Sequence, residues 1–161
     1  MKRRVSKISI MLVTGLIAYA TQNNTYAQTH SDRNQNSNDM KSLISIFEIP
    51  ATDLSRAVAF YQSILNVKIE TIDMQGTQMG LLPSEDQTIS GVITKGEGYE
   101  PSANGVMIYL NGGDNLQHML DKVEKSGGSV IVPKTLIDEE TGYFALFLDT
   151  EGNRIGLHSR N

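Results

Sequence analysis

The residues with the clearest capacity for chemistry are Glu48 and His158, which lie near opposite ends of the globular part of the sequence. A carboxylate that orients an imidazole makes a general base near neutral pH. We expect both side chains to face one cavity, which makes them the candidate catalytic residues. The alternative is that both are rim or structural residues, because no nucleophile or electrophile completes a recognisable catalytic set.

The composition excludes several other kinds of site. The 161 residues include no cysteine, which excludes disulfides, thiol nucleophiles and zinc–thiolate centres. A hydrophobic content of 39% and a charged content of 20% are typical of a soluble globular protein. The sequence has no strongly basic patch that would bind nucleic acid, so nucleic acid is not an expected partner.

Residues 1–27 have the layout of a secretory signal peptide. Four basic residues precede the apolar run 8–20, and Thr25-Tyr26-Ala27 forms a small-x-small cleavage pattern. The apolar run is too short to span a bilayer comfortably, which favours cleavage over an uncleaved membrane anchor. We therefore expect a protein exported to the periplasm or the extracellular space, with no membrane attachment after cleavage.

The part that would remain after cleavage is acidic. Its 10 basic and 18 acidic residues give a formal charge of −8, which disfavours electrostatic binding to nucleic acid or anionic lipid. Residues 28–40 are polar and contain almost nothing apolar, so they are predicted to be a disordered linker. The folded domain is predicted to occupy residues 41–161.

This domain shows the same order of structural signals twice. In the first copy a strand at 43–49 precedes a helix with Asp53 as its N-cap, and strands follow at 67–72, 77–82 and 88–94. In the second copy a strand at 106–110 precedes a helix capped by Asp114, and strands follow at 129–132, 143–148 and 154–158. Two tandem βαβββ modules, at about 42–96 and 104–160, predict an α+β fold with a half-open, curved mixed sheet around one cavity.

Three segments carry a family resemblance. Residues 47–53 (FEIPATD) with Ala59-Phe60-Tyr61, residues 105–111 (GVMIYLN) and residues 147–159 (FLDTEGNRIGLHS) resemble motifs of the vicinal-oxygen-chelate superfamily. This superfamily includes glyoxalases, bleomycin resistance proteins and dioxygenases, and the resemblance covers residues 42–160. It implies the fold strongly and the function weakly, because one fold supports many chemistries.

The resemblance also implies where a metal would bind. Metal-dependent members such as glyoxalase I hold a divalent ion with four His or Glu ligands, from the first and last strands of each module. The motifs place these positions at Ile46, Gly91, Met107 and Gly156, with the two glycines equivalent in the two modules. None of these side chains binds a divalent cation by oxygen or imidazole ligation, so we expect no metal in the usual site and no other cofactor.

Strand alternation predicts which side chains face the cavity. The candidate catalytic pair, Glu48 and His158, falls on the cavity side. The remaining candidates are predicted ligand-binding residues: Ile46, Gly91, Met107, Tyr109, Asn111, Arg154 and Gly156.

Three functions remain open at this point. The first is an exported protein that binds a small, partly apolar molecule without a metal, as the antibiotic-sequestering members of the superfamily do. The second is a glyoxalase-like lyase or isomerase that uses Glu48 and His158 for proton transfer. The third is an interaction module with a collapsed cavity. The expected partner is a small molecule, and the sequence leaves open whether the chain forms a homodimer.

Overall fold

A computed structural model describes residues 43–84 and 90–161. The predicted signal peptide, the predicted linker and the first residues of the predicted domain lie outside these ranges, as does the beginning of the predicted fourth strand. Within the described ranges, neither helix has the length and apolar character needed to cross a membrane.

The first module contains four strands and one helix. These are β1 (Ile46–Pro50), α1 (Leu54–Leu65), β2 (Glu70–Met74), β3 (Thr77–Leu81) and β4 (Ser90–Lys95). The strand order is β1-β4-β3-β2, with β1 parallel to β4 and the other pairs antiparallel. Asp53 caps the N-terminus of α1, as predicted, because its Oδ1 accepts a 3.1 Å hydrogen bond from the Arg56 N–H. Asn66 ends the helix in the left-handed conformation, which asparagine tolerates.

The second module repeats this order. It contains β5 (Tyr109–Asn111), α2 (Gln117–Val123), a 3₁₀ turn (Glu124–Ser126), β6 (Ser129–Asp138), β7 (Gly142–Leu148) and β8 (Arg154–Ser159). The strand order is β5-β8-β7-β6, with β5 parallel to β8. The two open, four-stranded mixed sheets confirm the predicted α+β fold and its tandem βαβββ modules.

The start of the second helix differs from the prediction that Asp114 caps it. The helix begins at Gln117, whose N–H donates a 3.0 Å hydrogen bond to Oδ1 of Asn115. Leu116 is fully buried, and its N–H donates to Oγ of Ser159. The burial of Leu116 and its bond to β8 therefore delay the helix beyond the residues that Asp114 could cap.

Both modules contribute to one hydrophobic core. The core faces of the sheets supply Ile49 and Ile93 from the first module and Leu110 and Leu157 from the second. Between them pack the buried faces of the helices: Leu54, Ala57, Val58, Phe60, Tyr61 and Ile64 from α1, and Leu120 and Val123 from α2. Among the described residues, no helix packs on the opposite faces of the strands, and several candidate site residues lie there.

The turn between β7 and β8 joins the modules through the carboxylate of Glu151. One carboxylate oxygen accepts hydrogen bonds from the N–H groups of Thr52 and Asp53, at 2.8 and 3.0 Å, and from the hydroxyl of Thr52 at 2.7 Å. The other accepts from Nε of Arg56 at 2.8 Å, and the Glu151 side chain is inaccessible to solvent. A negative charge is thus held at the positively polarised N-terminus of α1.

Asp149 and Asn153 of the same turn make the buried part of this joint. Asp149 accepts a 2.7 Å hydrogen bond from the hydroxyl of Tyr61, and its other oxygen accepts from the N–H groups of Glu151 and Asn153. The Asn153 amide donates to the carbonyl oxygen of Pro50 at 2.8 Å. We call the three side chains of Asp149, Glu151 and Asn153 the module clasp. Residues 149–153 thus form the turn between β7 and β8, and the Tyr61 side chain that they contact is fully buried.

The clasp shifts the pKa of its own Glu151 and of Tyr61, which it contacts. Burial alone would raise the pKa of Glu151, but the hydrogen bonds from Arg56, Asp53 and Thr52 outweigh it and lower that pKa to about 2. Burial and the neighbouring charge of Asp149 raise the pKa of Tyr61 well above its usual value. Glu151 therefore stays ionised, and Tyr61 stays protonated, throughout the neutral range.

Glu151→Gln is expected to lower the free energy of unfolding at neutral pH and to weaken the dependence of that free energy on acid pH. A carboxyl whose pKa is lower in the folded state stabilises the fold above its ordinary pKa of 4.5, and this contribution is lost as the pH falls towards 2. The variant should lose about 1–3 kcal/mol of unfolding free energy at neutral pH. Urea unfolding should also show a shallower loss of stability than the unchanged protein between about pH 5 and pH 2.

Glu139→Gln is the matched control, because Glu139 is exposed in the turn after β6 and the substitution changes the same charge. Its unfolding free energy should stay within about 0.5 kcal/mol of the original. A Glu151→Gln variant whose stability falls with acid in parallel with the unchanged protein would contradict the role of the clasp.

Candidate functional site

The pairing of the first strand with the last strand of each module determines where the candidate site residues lie. In the second sheet, Tyr109 is paired with Gly156 and Asn111 with His158, whereas the intervening pair, Leu110 and Leu157, is buried in the core. In the first sheet, Glu48 is paired with Val92, next to the pair of Ile49 and Ile93, which lies in the core. Tyr109, Asn111, His158 and Glu48 therefore lie on the faces opposite the core.

The two modules are related by a register that differs from the predicted one. The N–H of Ala51 donates to the carbonyl of Thr94, and at the corresponding place the N–H of Gly112 donates to the carbonyl of His158. Counting from these bonds makes Gly156 equivalent to Val92. The expected equivalence of Gly91 and Gly156 is therefore wrong by one residue.

This shift of one residue places the two glycines on different faces of their sheets. A Cβ atom on Gly91 would contact the ring of Phe47 and the end of Leu82, which pack against the core. A Cβ atom on Gly156 would instead contact the ring of Tyr109. Gly91 is thus on the core side, and only Gly156 leaves space on the concave face.

The observed register also places no metal ligand at the usual superfamily positions. The four corresponding positions become Ile46, Val92, Met107 and Gly156, and none has an oxygen or nitrogen donor in its side chain. In residues 43–84 and 90–161, no group of three or more His, Cys, Asp or Glu side chains is arranged to hold a metal ion.

A cavity of about 900 Å³ lies on the concave face of the second sheet. Its lining includes three of the predicted site residues, Tyr109, Asn111 and His158. It also includes Phe144, Ile137 and Arg160, which were not predicted. The sequence could have predicted that Phe144 faces the cavity, because it alternates in β7 with the core residues Ala145 and Phe147. It could not have predicted Ile137, because β6 continues through three register shifts to Asp138 instead of ending at residue 132.

The other predicted site residues do not line this cavity. Ile46 and Glu48 belong to the first sheet, Met107 precedes β5, and Arg154 is the first residue of β8. Gly156 contributes indirectly, because the Tyr109 ring occupies the space above its Cα atom. The Tyr109 residue remains 47% exposed, so a ligand in the cavity can contact its ring.

His158 is held by the turn that joins β6 to β7. Its Nε2 lies 2.8 Å from the carbonyl oxygen of Thr141. Asp138 fixes this turn by accepting hydrogen bonds from the N–H and hydroxyl of Thr141 and from the N–H of Glu140, at 2.6, 2.9 and 2.9 Å. The hydrogen bonds from Thr141 are the main reason why the pKa of Asp138 is lowered. The imidazole therefore has a positioned hydrogen-bond partner.

Glu48 has a different set of partners. The hydroxyl of Tyr99 lies 3.2 and 3.0 Å from its two carboxylate oxygens, and Oγ1 of Thr94 donates at 3.3 Å. Burial and the charge of Glu48 raise the pKa of Tyr99 to about 12, so Tyr99 stays a donor. Within the part of the chain that the structure describes, no hydrogen bond or ion pair joins Glu48 to His158.

Comparison with known proteins identifies the family. The family model of the Glyoxalase/Bleomycin resistance protein/Dioxygenase superfamily matches residues 43–157. The chain belongs to this superfamily. A glyoxylase-like domain-containing protein from Didymella fabae is 32% identical to this chain over an alignment of 122 residues, which covers 73% of this chain and 93% of that protein.

Solved structures share the superfamily fold at lower sequence identity. TnmS3, an antibiotic binding protein from a Streptomyces species, gives a TM-score of 0.56 at 20% identity, over 74% of this chain and 97% of that one. A glyoxalase I mutant from Zea mays gives 0.55 at 16% identity over 71% of this chain. The chain spans only 45% of the length of that maize protein. At these identities the likeness establishes the fold alone.

Gly156→Ala is expected to destabilise the protein only when the Tyr109 ring is present. The added methyl group must displace the ring, which should cost about 1–3 kcal/mol of unfolding free energy. In a Tyr109→Ala background the space is vacant, and the same substitution should cost far less. Urea unfolding of the two single variants and the double variant measures this coupling, which should exceed about 0.5 kcal/mol.

Gly91→Ala provides the comparison, because its new methyl group would meet Phe47 and Leu82 on the core side. Its effect should add independently to that of Tyr109→Ala. Additive effects of Gly156→Ala and Tyr109→Ala would show that the ring does not occupy the space above Gly156.

Proposed function

We propose that this domain binds a small, partly apolar organic molecule in the cavity of the second sheet, without a metal at the usual superfamily site. The observation that carries this proposal is the cavity of about 900 Å³, on a face that no helix of residues 43–84 and 90–161 covers. This volume is within the range of about 300–1,000 Å³ that is typical of small-molecule sites. An open cavity of this size also makes an interaction module with a collapsed cavity the weaker alternative.

The chemistry of the cavity wall supports this function. The apolar surface of the wall comes from Tyr109, Leu110, Ile137 and Phe144, and the polar groups come from Asn111, Asp114, His158, Ser159, Arg160 and Asn161. Binding sites for small organic molecules combine a mostly apolar wall with a few polar groups that fix the orientation of the ligand. The Streptomyces antibiotic binding protein adds an analogy at the level of the fold, since it is a binder built on the same architecture.

Acid–base catalysis by Glu48 and His158 is less well supported. Glu48 is engaged by Tyr99 and Thr94, and His158 is engaged by Thr141. A general base and the group that orients it are expected within hydrogen-bond reach of each other. The separate partners therefore favour ligand binding over a lyase or isomerase reaction. Loss of a detected lyase or isomerase activity in a Glu48→Ala variant would reverse this preference.

Export is part of the same proposal and rests on the sequence. Residues 1–27 would direct the chain out of the cytoplasm, and the acidic domain would then meet foreign small molecules outside it. Mass spectrometry of the protein recovered from the periplasm or the medium of an expressing bacterium should show a chain that begins at Gln28. Retention of residues 1–27 in a cell-bound protein would contradict export with cleavage.

The binding proposal is tested by a small-molecule thermal-shift screen on the domain in EDTA and in added divalent metals. A ligand should raise the melting temperature, and its dissociation constant should be the same in both conditions. Tyr109→Ala should weaken binding about ten-fold, because aromatic contacts contribute about 0.5–1.5 kcal/mol beyond their buried area. His118→Gln is the control, since His118 is an exposed residue of α2 and does not line the cavity.

Two results would contradict the binding proposal. One is ligand binding that disappears in EDTA and returns with a divalent metal. The other is a set of ligands whose affinities are unchanged by Tyr109→Ala, which would place their site elsewhere.

A further inference from the structure

The hydrogen bond to Thr141 determines which nitrogen of His158 is available to a ligand. A backbone carbonyl oxygen can only accept a hydrogen bond, so Nε2, at 2.8 Å from it, is the donor. In the neutral imidazole the other nitrogen, Nδ1, then carries a lone pair and no hydrogen. Nδ1 has no hydrogen-bond partner among residues 43–84 and 90–161. His158 lines the cavity, and Nδ1 is the ring nitrogen that the bond to Thr141 leaves to accept from a ligand.

The position of the Thr141 carbonyl is set by its surroundings. Asp138 accepts hydrogen bonds from both the N–H and the hydroxyl of Thr141. The next residue, Gly142, has a φ of +90°, and a side chain there would contact the backbone of Ser159 and Arg160. The turn therefore lies directly against the end of β8, and this contact holds the imidazole in one tautomer.

The surfaces beside this acceptor are flat and apolar. Phe144 is directly paired with His158 across β7 and β8. Tyr109 is paired with Gly156, two residues before His158 on the same face, and its ring rests over that glycine. Aromatic rings favour stacked or edge contacts with other rings, so this arrangement suits a planar unsaturated ligand better than a saturated one.

We propose that the cavity takes a planar aromatic molecule with a phenolic hydroxyl, which donates a hydrogen bond to Nδ1 of His158 while the ring contacts Tyr109 and Phe144. This specificity rests on the proposed binding function and assigns the class of ligand. His158 acts here as a hydrogen-bond acceptor, and no proton transfer is required.

The test compares 2-naphthol with 2-methoxynaphthalene, which keeps the ring and has no hydroxyl hydrogen. Isothermal titration calorimetry should show that the unchanged protein binds 2-naphthol at least about five-fold more tightly, as one hydrogen bond predicts. His158→Phe keeps a flat ring but has neither a hydrogen-bond donor nor an acceptor, so the two ligands should bind it equally. His118→Gln should keep the five-fold preference, and Tyr109→Ala should weaken both ligands.

Two outcomes would overturn the assignment of ligand class. Equal affinity of the unchanged protein for both naphthalenes would do so, as would a preference that survives in His158→Phe. A third check is direct: the nitrogen-15 NMR spectrum of the imidazole should show hydrogen on Nε2 of His158, and hydrogen on Nδ1 of the neutral ring would contradict the proposal.

Failure of this inference can be separated from failure of the binding function. If neither naphthalene binds but another screened molecule does, and Tyr109→Ala weakens that molecule, the phenol assignment is wrong and the binding function stands. If no molecule in the screen binds with a dependence on Tyr109, both proposals fail.

Discussion

The structure depends most on the carboxylates of one five-residue turn. Glu151 binds the N-terminus of α1 and Asp149 binds the hydroxyl of Tyr61, so a turn of the second module is fixed to the helix of the first. Asn153 completes the clasp by donating to the carbonyl of Pro50 at the end of β1. Because β8 begins at the next residue, these contacts also set which of its side chains face the core.

The alternation that begins at this turn creates the face that carries the cavity. Ile155 and Leu157 enter the shared core, so Gly156 and His158 must lie on the open side. Each then supports a different feature of the cavity. The missing side chain of Gly156 makes room for the Tyr109 ring, and the Thr141 carbonyl fixes the imidazole of His158. A shaped wall with an oriented polar group suits recognition of a ligand better than it suits proton transfer between Glu48 and His158.

The sequence predicts the fold well because its signals are local and repeated. The capping by Asp53, the buried face of α1 and the alternation in β8 each follow from side chains that differ in polarity along a few residues. The register of the glycines was not predictable in this way, because a glycine has no side chain whose polarity could indicate a face. The Tyr99–Glu48 contact could not be predicted either, since it depends on the path of the segment between the modules. Phe144, by contrast, follows from the same alternation that identified Tyr109.

We propose above all that a small molecule binds on the concave face of the second sheet without a metal. The most direct measurement is a titration of the isotope-labelled protein, in EDTA, with the strongest ligand from the thermal-shift screen, followed by NMR of the backbone amides. The largest shifts are expected at four residues that line the cavity, Tyr109, Asn111, Phe144 and His158. Shifts centred on Glu48 in the first sheet, or shifts that appear only after a divalent metal is added, would contradict this proposal.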